Sequence, residues 1–219
     1  MDITSYLLGK NAGGGSGGGL DWSAIGYSGT PDVITNGYNY AKNIYDNWDA
    51  TQTNLYSKFQ GDYNLIFIPL VNTSSATNMQ STFQDCKSLI SVPLLDTSSV
   101  TITKNMFYGC DALSQIPLFN TNNVQNFNGM FFGCSSLKTV PLLNTSSATD
   151  LRTMFSGCVS LTNDSLDNIL QMCINVPSTY SKTKTLASLS FSSIYYSASR
   201  IEALPHYQDF IDAGWTIGY

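Results

Sequence analysis

From Phe59 the chain can be written in rows of 24 residues without a slip: "FQGDYNLIFIPLVNTSSATNMQST", "FQDCKSLISVPLLDTSSVTITKNM", "FYGCDALSQIPLFNTNNVQNFNGM", "FFGCSSLKTVPLLNTSSATDLRTM". A fifth row opens with "FSGCVSL" at Phe155 and then diverges. A fixed period of this length outranks local propensity, because each row is one structural unit that cannot bury its faces alone. Phe59, Phe83, Phe107, Phe131 and Phe155 fall in one column, and Leu65, Leu89, Leu113, Leu137 and Leu161 in another. Ile68, Val92, Ile116 and Val140 form a third, each followed by proline. Stacked coils turn such columns into continuous side-chain rows through a solenoid core.

Within a coil, "SLKTVPLL" reads as a short extended segment with Leu137 and Val140 facing inward. The proline that follows removes a ladder donor, so pairing stops there and the strands are only a few residues long. The next stretch, "NTSSATDLRTMFSGC", has a helical spacing of apolar positions at Ala148, Leu151, Met154 and Phe155. Ser147 fits an N-cap with Asp150 three residues on, and Gly157 fits a left-handed C-terminal residue. The expectation is an α/β repeat solenoid, leucine-rich-repeat-like, with one short parallel strand and one short helix per 24-residue coil.

Four cysteines, Cys86, Cys110, Cys134 and Cys158, share a column, and Cys173 stands apart. Structural zinc calls for close cysteine pairs, which are missing here. Stacked side chains point the same way and not at one another, which argues against disulfides. A buried thiol ladder of small apolar groups is the expected arrangement. Asn72, Asp96, Asn120 and Asn144, each followed by threonine, suggest Asx turns, with an edge Ca2+ site as a much weaker alternative. His206 is the single histidine and reads as a packing or surface residue. No hydrolase elbow, zincin, P-loop or dinucleotide fingerprint is present, so neither catalysis nor a cofactor is expected.

"MFYGCDALSQIPLFNT" and "MFFGCSSLKTVPLLNTSS" resemble the bacterial and phage leucine-rich repeats of the BspA-like, DUF285 type. The resemblance covers roughly residues 59–176 and implies a curved right-handed solenoid used for binding or adhesion, without catalysis.

Both ends of a solenoid need covering. In residues 20–58, Thr30, Pro31 and Asp32 mark a helix start, and Ile34, Tyr38, Ala41, Tyr45, Trp48, Leu55 and Phe59 form an apolar stripe. Such a stripe fits an N-terminal cap over the first coil or a coiled-coil seam between protomers; its aromatic bulk favours the cap. Toward the other end, "NDSLDNILQMC" reads as a helix and residues 202–213 as a second, with Trp215, Ile217 and Tyr219 alternating in a final strand. Residues 177–219 are expected to form the C-terminal cap.

Ahead of these lies "MDITSYLLGKNAGGGSGGG". Residues 13–19 are a flexible spacer spanning on the order of 15 Å. Residues 1–12 carry Ile3, Tyr6, Leu7 and Leu8, a set too short to fold alone but able to dock on a partner. The stretch reads either as an engineered linker or as natural; it resembles the N-termini of tailed-phage structural proteins, where an anchoring peptide precedes a spacer. It lacks the basic and long apolar regions of a signal peptide, so assembly in a bacterial cytoplasm is expected, and the resemblance to phage N-termini implies residence on a virion.

A net charge of -5 with ten scattered basic residues excludes nucleic acid as an expected partner, and no apolar run is long enough to insert in a membrane. The expected role is a non-enzymatic virion fibre, spike or decoration protein, attached to other virion proteins by residues 1–12 and binding a bacterial surface protein or glycan. A homo-oligomer, with a trimer as one form, is expected. A bacterial cell-surface adhesin and a cementing protein without a receptor are the alternatives. Tyr63, Tyr108 and Phe132, at positions that vary between coils, are the candidate contact residues.

Overall fold

The computed structural model describes residues 39–41, 43, 44, 46–182, 184 and 196–217. The anchor, the spacer, the helix start at Thr30 and the stripe residues Ile34, Tyr38 and Tyr45 fall outside these, as does Tyr219.

The sequence period is also a spatial one. Parallel bridges join Asn54 to Asn78, Asn78 to Ile102, Ile102 to Asn126 and Asn126 to Asp150, and a second line joins Phe67 to Ser91 and Gln115 to Thr139. Beside that second line, the N–H groups of Ile90, Ser114, Lys138 and Thr162 donate to the carbonyls of Ile66, Ile90, Ser114 and Lys138 at 2.8, 3.3, 2.9 and 3.0 Å. The extended segment is thus reduced to single bridges. Past the proline the chain bends, with Leu95 N–H donating to Pro93 O and Phe119 N–H to Pro117 O.

The expected helix in each coil is not there; among the described residues none lies between 54 and 161. Its place is taken by a ribbon of consecutive turns in which alternate N–H groups point in two directions. Thr103, Asn105, Phe107 and Gly109 donate forward to the carbonyls of Asn126, Asn128, Met130 and Phe132 in the next coil, at 2.6–3.0 Å. Between them, Met106, Tyr108 and Cys110 donate back three residues within their own coil. Two left-handed residues per coil produce this alternation, one in the column Ser57, Ser81, Asn105, Gly129 and Thr153, the other in the column Gly61, Asp85, Gly109, Gly133 and Gly157. The left-handed conformation expected at Gly157 is found, but it bends a ribbon and does not end a helix. Ser147, expected as an N-cap, instead donates its hydroxyl to the Asn122 carbonyl. The physical reason is spacing: coils joined by backbone bonds sit roughly 5 Å apart, whereas an α-helix is about 10 Å across.

The phenylalanine column runs through the interior, its neighbouring rings 5.4–5.7 Å apart and within 15° of parallel. Leu65, Leu89, Leu113, Leu137 and Leu161 lie beside it with at most 2% of their surface exposed.

Each end is closed in the repeat's own phase. Residues 39–41, 43, 44 and 46 are helical. Ala41, fully buried, and Ile44, packed against the core, stand 24 residues before Leu65 and Ile68. Trp48, stacked on Phe59, donates its indole N–H to Asn72 O at 2.8 Å, a carbonyl type that a threonine serves elsewhere. At the other end, helix α1 (Asn163–Ile174) takes the place of a further coil and buries Leu166, Ile169, Leu170, Met172 and Cys173. Its Ser165 hydroxyl accepts from Val140 N–H and donates to Lys138 O, both at 3.0 Å, and Asn168 donates to Val140 O at 2.9 Å. The Tyr180 and Tyr196 hydroxyls accept from Leu151 N–H and Leu161 N–H. Side chains therefore satisfy an edge that would otherwise end in bare backbone.

The helix expected over residues 202–213 is shorter, α3 (Tyr207–Asp212), and Glu202 instead ends a separate helix, α2 (Ala198–Glu202). Pro205 lies between them and cannot continue the first. Trp215, fully buried, packs on Tyr180 and Phe210, and Thr216 N–H pairs with Lys184 O.

Candidate binding surface

One column of large apolar side chains faces outward. Leu94 and Leu118, each directly after its proline, are 59% and 61% exposed, and Leu142 is 38% exposed. Leu70 begins the same column and is half-buried. The coil geometry dictates this placement. Val92 and Leu95 face inward on either side of the bend, which leaves the intervening Leu94 facing solvent, and the period repeats the result. Two residues past each leucine stands the exposed column of Asn72, Asp96, Asn120 and Asn144, uncharged but for Asp96. The sequence reading passed over these leucines because "PLL" counts as core by composition; the signal available was the bend at proline, which reverses which neighbour faces inward.

The sequence-predicted contact residues do not gather into one site. Tyr108 and Phe132 do meet, their rings 4.5 Å apart and 3° from parallel, both half-buried. No helix among the described residues covers them. Tyr63 is 60% exposed but belongs to another column, 24 residues before Lys87.

Behind the surface, polar columns fix the backbone. Asn72, Asp96, Asn120 and Asn144 each accept, through Oδ1, the N–H two residues on, at 2.8–3.2 Å. The Asx turns are therefore present as expected. A second such column, Asn54, Asn78, Asn126 and Asp150, was not anticipated. Buried Thr73, Thr97 and Thr121 donate their hydroxyls to the carbonyls of Asp96, Asn120 and Asn144 in the next coil, at 2.8–2.9 Å, and Thr145 reaches Met172 O in α1. Among the described residues no cluster of three or more His, Cys, Asp or Glu side chains could hold a metal ion. No described helix is long and apolar enough to cross a membrane.

All five cysteines are free and buried. Cys86, Cys110, Cys134 and Cys158 donate to the carbonyls of Phe59, Phe83, Phe107 and Phe131 at 3.0–3.1 Å. Burial pushes their pKa values up, that of Cys86 to about 12. At neutral pH these thiols are protonated packing groups, neither nucleophiles nor metal ligands. In the row before the first cysteine, Asp62 stands in the thiol column, and the Tyr40 hydroxyl donates to it at 2.5 Å. His206 contacts the Asp167 carboxylate through Nδ1 at 2.7 Å and through its backbone N–H at 2.9 Å, tying the start of α3 to α1.

Against known families, the pattern described as "Mycoplasma protein of unknown function, DUF285" matches residues 32–139 and 77–191. The chain belongs to this family. The match to the DUF285 pattern begins ahead of Phe59 and continues through α1, so it takes in sequence on both sides of the regular rows. Among solved structures, a leucine-rich repeat protein from Bacteroides ovatus is 24% identical to this DUF285 chain, over 48% of the chain and 32% of its own length, with a TM-score of 0.32. The chain thus spans about a third of that protein. No curated protein matches.

Proposed function

We propose that the chain is a non-enzymatic binding module whose coils hold the Leu94, Leu118 and Leu142 column against a protein on a cell surface. The observation that carries this reading is that, among the described residues, the exposed large aliphatic side chains Leu94, Leu118 and Leu142 all fall in one column. Leu94 and Leu118 are fixed by the bends at Pro93 and Pro117 and by the bonded coils beneath, so contact costs little ordering of the backbone. The largest contiguous exposed apolar patch on a folded protein is often a functional one. No step of chemistry is assigned to the surface.

The finer reading is display on a phage particle, with residues 1–12 as the attachment peptide and residues 13–19 as the tether. What supports it is the order of those segments in the sequence: a short apolar peptide, a glycine-serine spacer, then a capped domain. A bacterial cell-surface adhesin of the same repeat class is the alternative, with the same binding face. Fluorescently labelled full chain is to be incubated with bacterial cells before and after protease treatment. Saturable binding that the protease abolishes is expected. Binding that survives the protease and is competed by free glycans would replace the protein receptor with a carbohydrate. Gold labelling of intact phage particles from the source culture then separates the two modes of display.

A further inference from the structure

We infer that the partner presents an amphipathic α-helix carrying net positive charge, laid along the solenoid axis with one apolar side chain per turn against the leucine column. The inference rests on the reading of that column as the binding face, and it follows from spacing, area and charge.

Successive leucines recur with the coils, at roughly 5 Å, and the phenylalanine rings of the same coils recur at 5.4–5.7 Å. An α-helix advances about 5.4 Å per turn. A helix parallel to the axis therefore keeps pace with the column over its four positions, drifting by less than the width of a leucine. An extended strand in the same place repeats its same-face side chains at about 6.8 Å and loses step by the third coil. Laid across the axis instead, a strand meets one leucine only. Apolar residues at i, i+4, i+7 and i+11 of a helix match the four positions Leu70, Leu94, Leu118 and Leu142.

A second copy of this chain has the same spacing, so area and charge decide against it. Leu94, Leu118 and Leu142, 59%, 61% and 38% exposed, form a strip one side chain wide, while a stable dimer interface takes about 800 Å2 from each partner. Each copy carries a net charge of -5, which opposes pairing at low ionic strength. The column is bordered by the exposed carboxylate of Asp96, two residues past Leu94 and without a cationic partner among the described residues. A helix with lysines or arginines flanking its apolar stripe answers that charge, and the modest area implies a weak contact strengthened by many copies.

The test uses the full chain and two synthetic peptides of about 15 residues made of leucine, alanine, glutamine and lysine with the same composition. One places leucine at i, i+4, i+7 and i+11; the other alternates leucine with polar residues. Fluorescence anisotropy is read for the wild type and for Leu94→Ser/Leu118→Ser. Saturable binding of the helical peptide, weakened at least about tenfold in the double variant, is expected, with no comparable binding of the alternating peptide. Equal binding of both peptides, or binding unchanged in the variant, would reduce the effect to general charge attraction and overturn the inference. A wild-type dimer in sedimentation that the double variant abolishes would name a second copy as the occupant and also overturn it. If the helical peptide fails while cell binding is lost in the double variant, the helix is wrong and the leucine face stands. If the full chain binds no cells at all, the function reading falls independently of the peptide result.

Discussion

The thiol of Cys110 donates to the carbonyl oxygen of Phe83, 3.0 Å away in the preceding coil. The same relationship joins Cys134 to Phe107 and Cys158 to Phe131, so each cysteine bonds two coils together while filling apolar volume. Native protein is therefore expected to show no fast thiol reaction with an aromatic disulfide reagent at neutral pH, whereas denatured protein shows all five. Rapid labelling of Cys110 or Cys134 in the native state would contradict the packing.

The raised thiol pKa values also set the alkaline limit of stability. Folded cysteines stay protonated above the unfolded value of about 8.5, so the unfolded chain loses its protons first. Stability is level below that pH and falls as pH rises toward about 12, the value for Cys86. The slope is up to about 1.4 kcal/mol per pH unit for each thiol. Thermal melts between pH 7 and 11 should show a steep decline that Cys110→Ala and Cys134→Ala make shallower. A melt insensitive to pH across that range would show that the thiols are not held protonated.

Thr121 is 2% exposed, and its hydroxyl donates to Asn144 O at 2.9 Å. Thr121→Val keeps the shape and leaves that carbonyl without its donor, at a cost of about 1–2 kcal/mol in chemical denaturation. Thr121→Ser, which restores the donor, should recover part of the loss.

Two substitutions in the turn ribbon should move in opposite directions. Thr153 is β-branched at a φ of 55°, in a column where Gly129 occupies the equivalent place. Thr153→Gly relieves that conformation and is expected to stabilise by about 0.5–1 kcal/mol. Gly157 has a φ of 77°, and a Cβ there would lie 3.2 Å from the Gly133 Cα. Gly157→Ala should destabilise by about 1–2 kcal/mol or more, since backbone and not a movable side chain stands in the way.

Leu113 and Leu118 stand five residues apart in one coil, the first fully buried and the second 61% exposed. Leu113→Ala should cost about 2–5 kcal/mol of stability, while Leu118→Ala should stay within about 0.5 kcal/mol. The contrast separates core from contact surface by a melt alone.

The period was legible because several columns repeat one residue type or a close relative, and it carried the buried phenylalanines, leucines and cysteines with it. Helix α1 was legible from Leu166, Ile169, Leu170 and Cys173, which lie on one face. The ribbon was not. Ala148, Leu151, Met154 and Phe155 do have helical spacing, but the coil repeat leaves no room for a helix, and Ser81 or Thr153 gives no sequence sign of a left-handed backbone. The outward leucines were hidden for a related reason: exposure follows from the bend after Pro93 and Pro117, which residue type alone does not report. Varying positions pointed to Tyr108 and Phe132, whereas the exposed apolar column is one of the least varied.

The most direct test of the account is photo-crosslinking on intact bacterial cells, with a benzophenone side chain placed at position 118 or, for comparison, at the exposed Lys87 on another column. A discrete crosslinked protein from position 118 and none from position 87 is the predicted result. Crosslinks from position 87 alone, or cell binding that persists with none from 118, would contradict the assignment of the leucine column as the binding face.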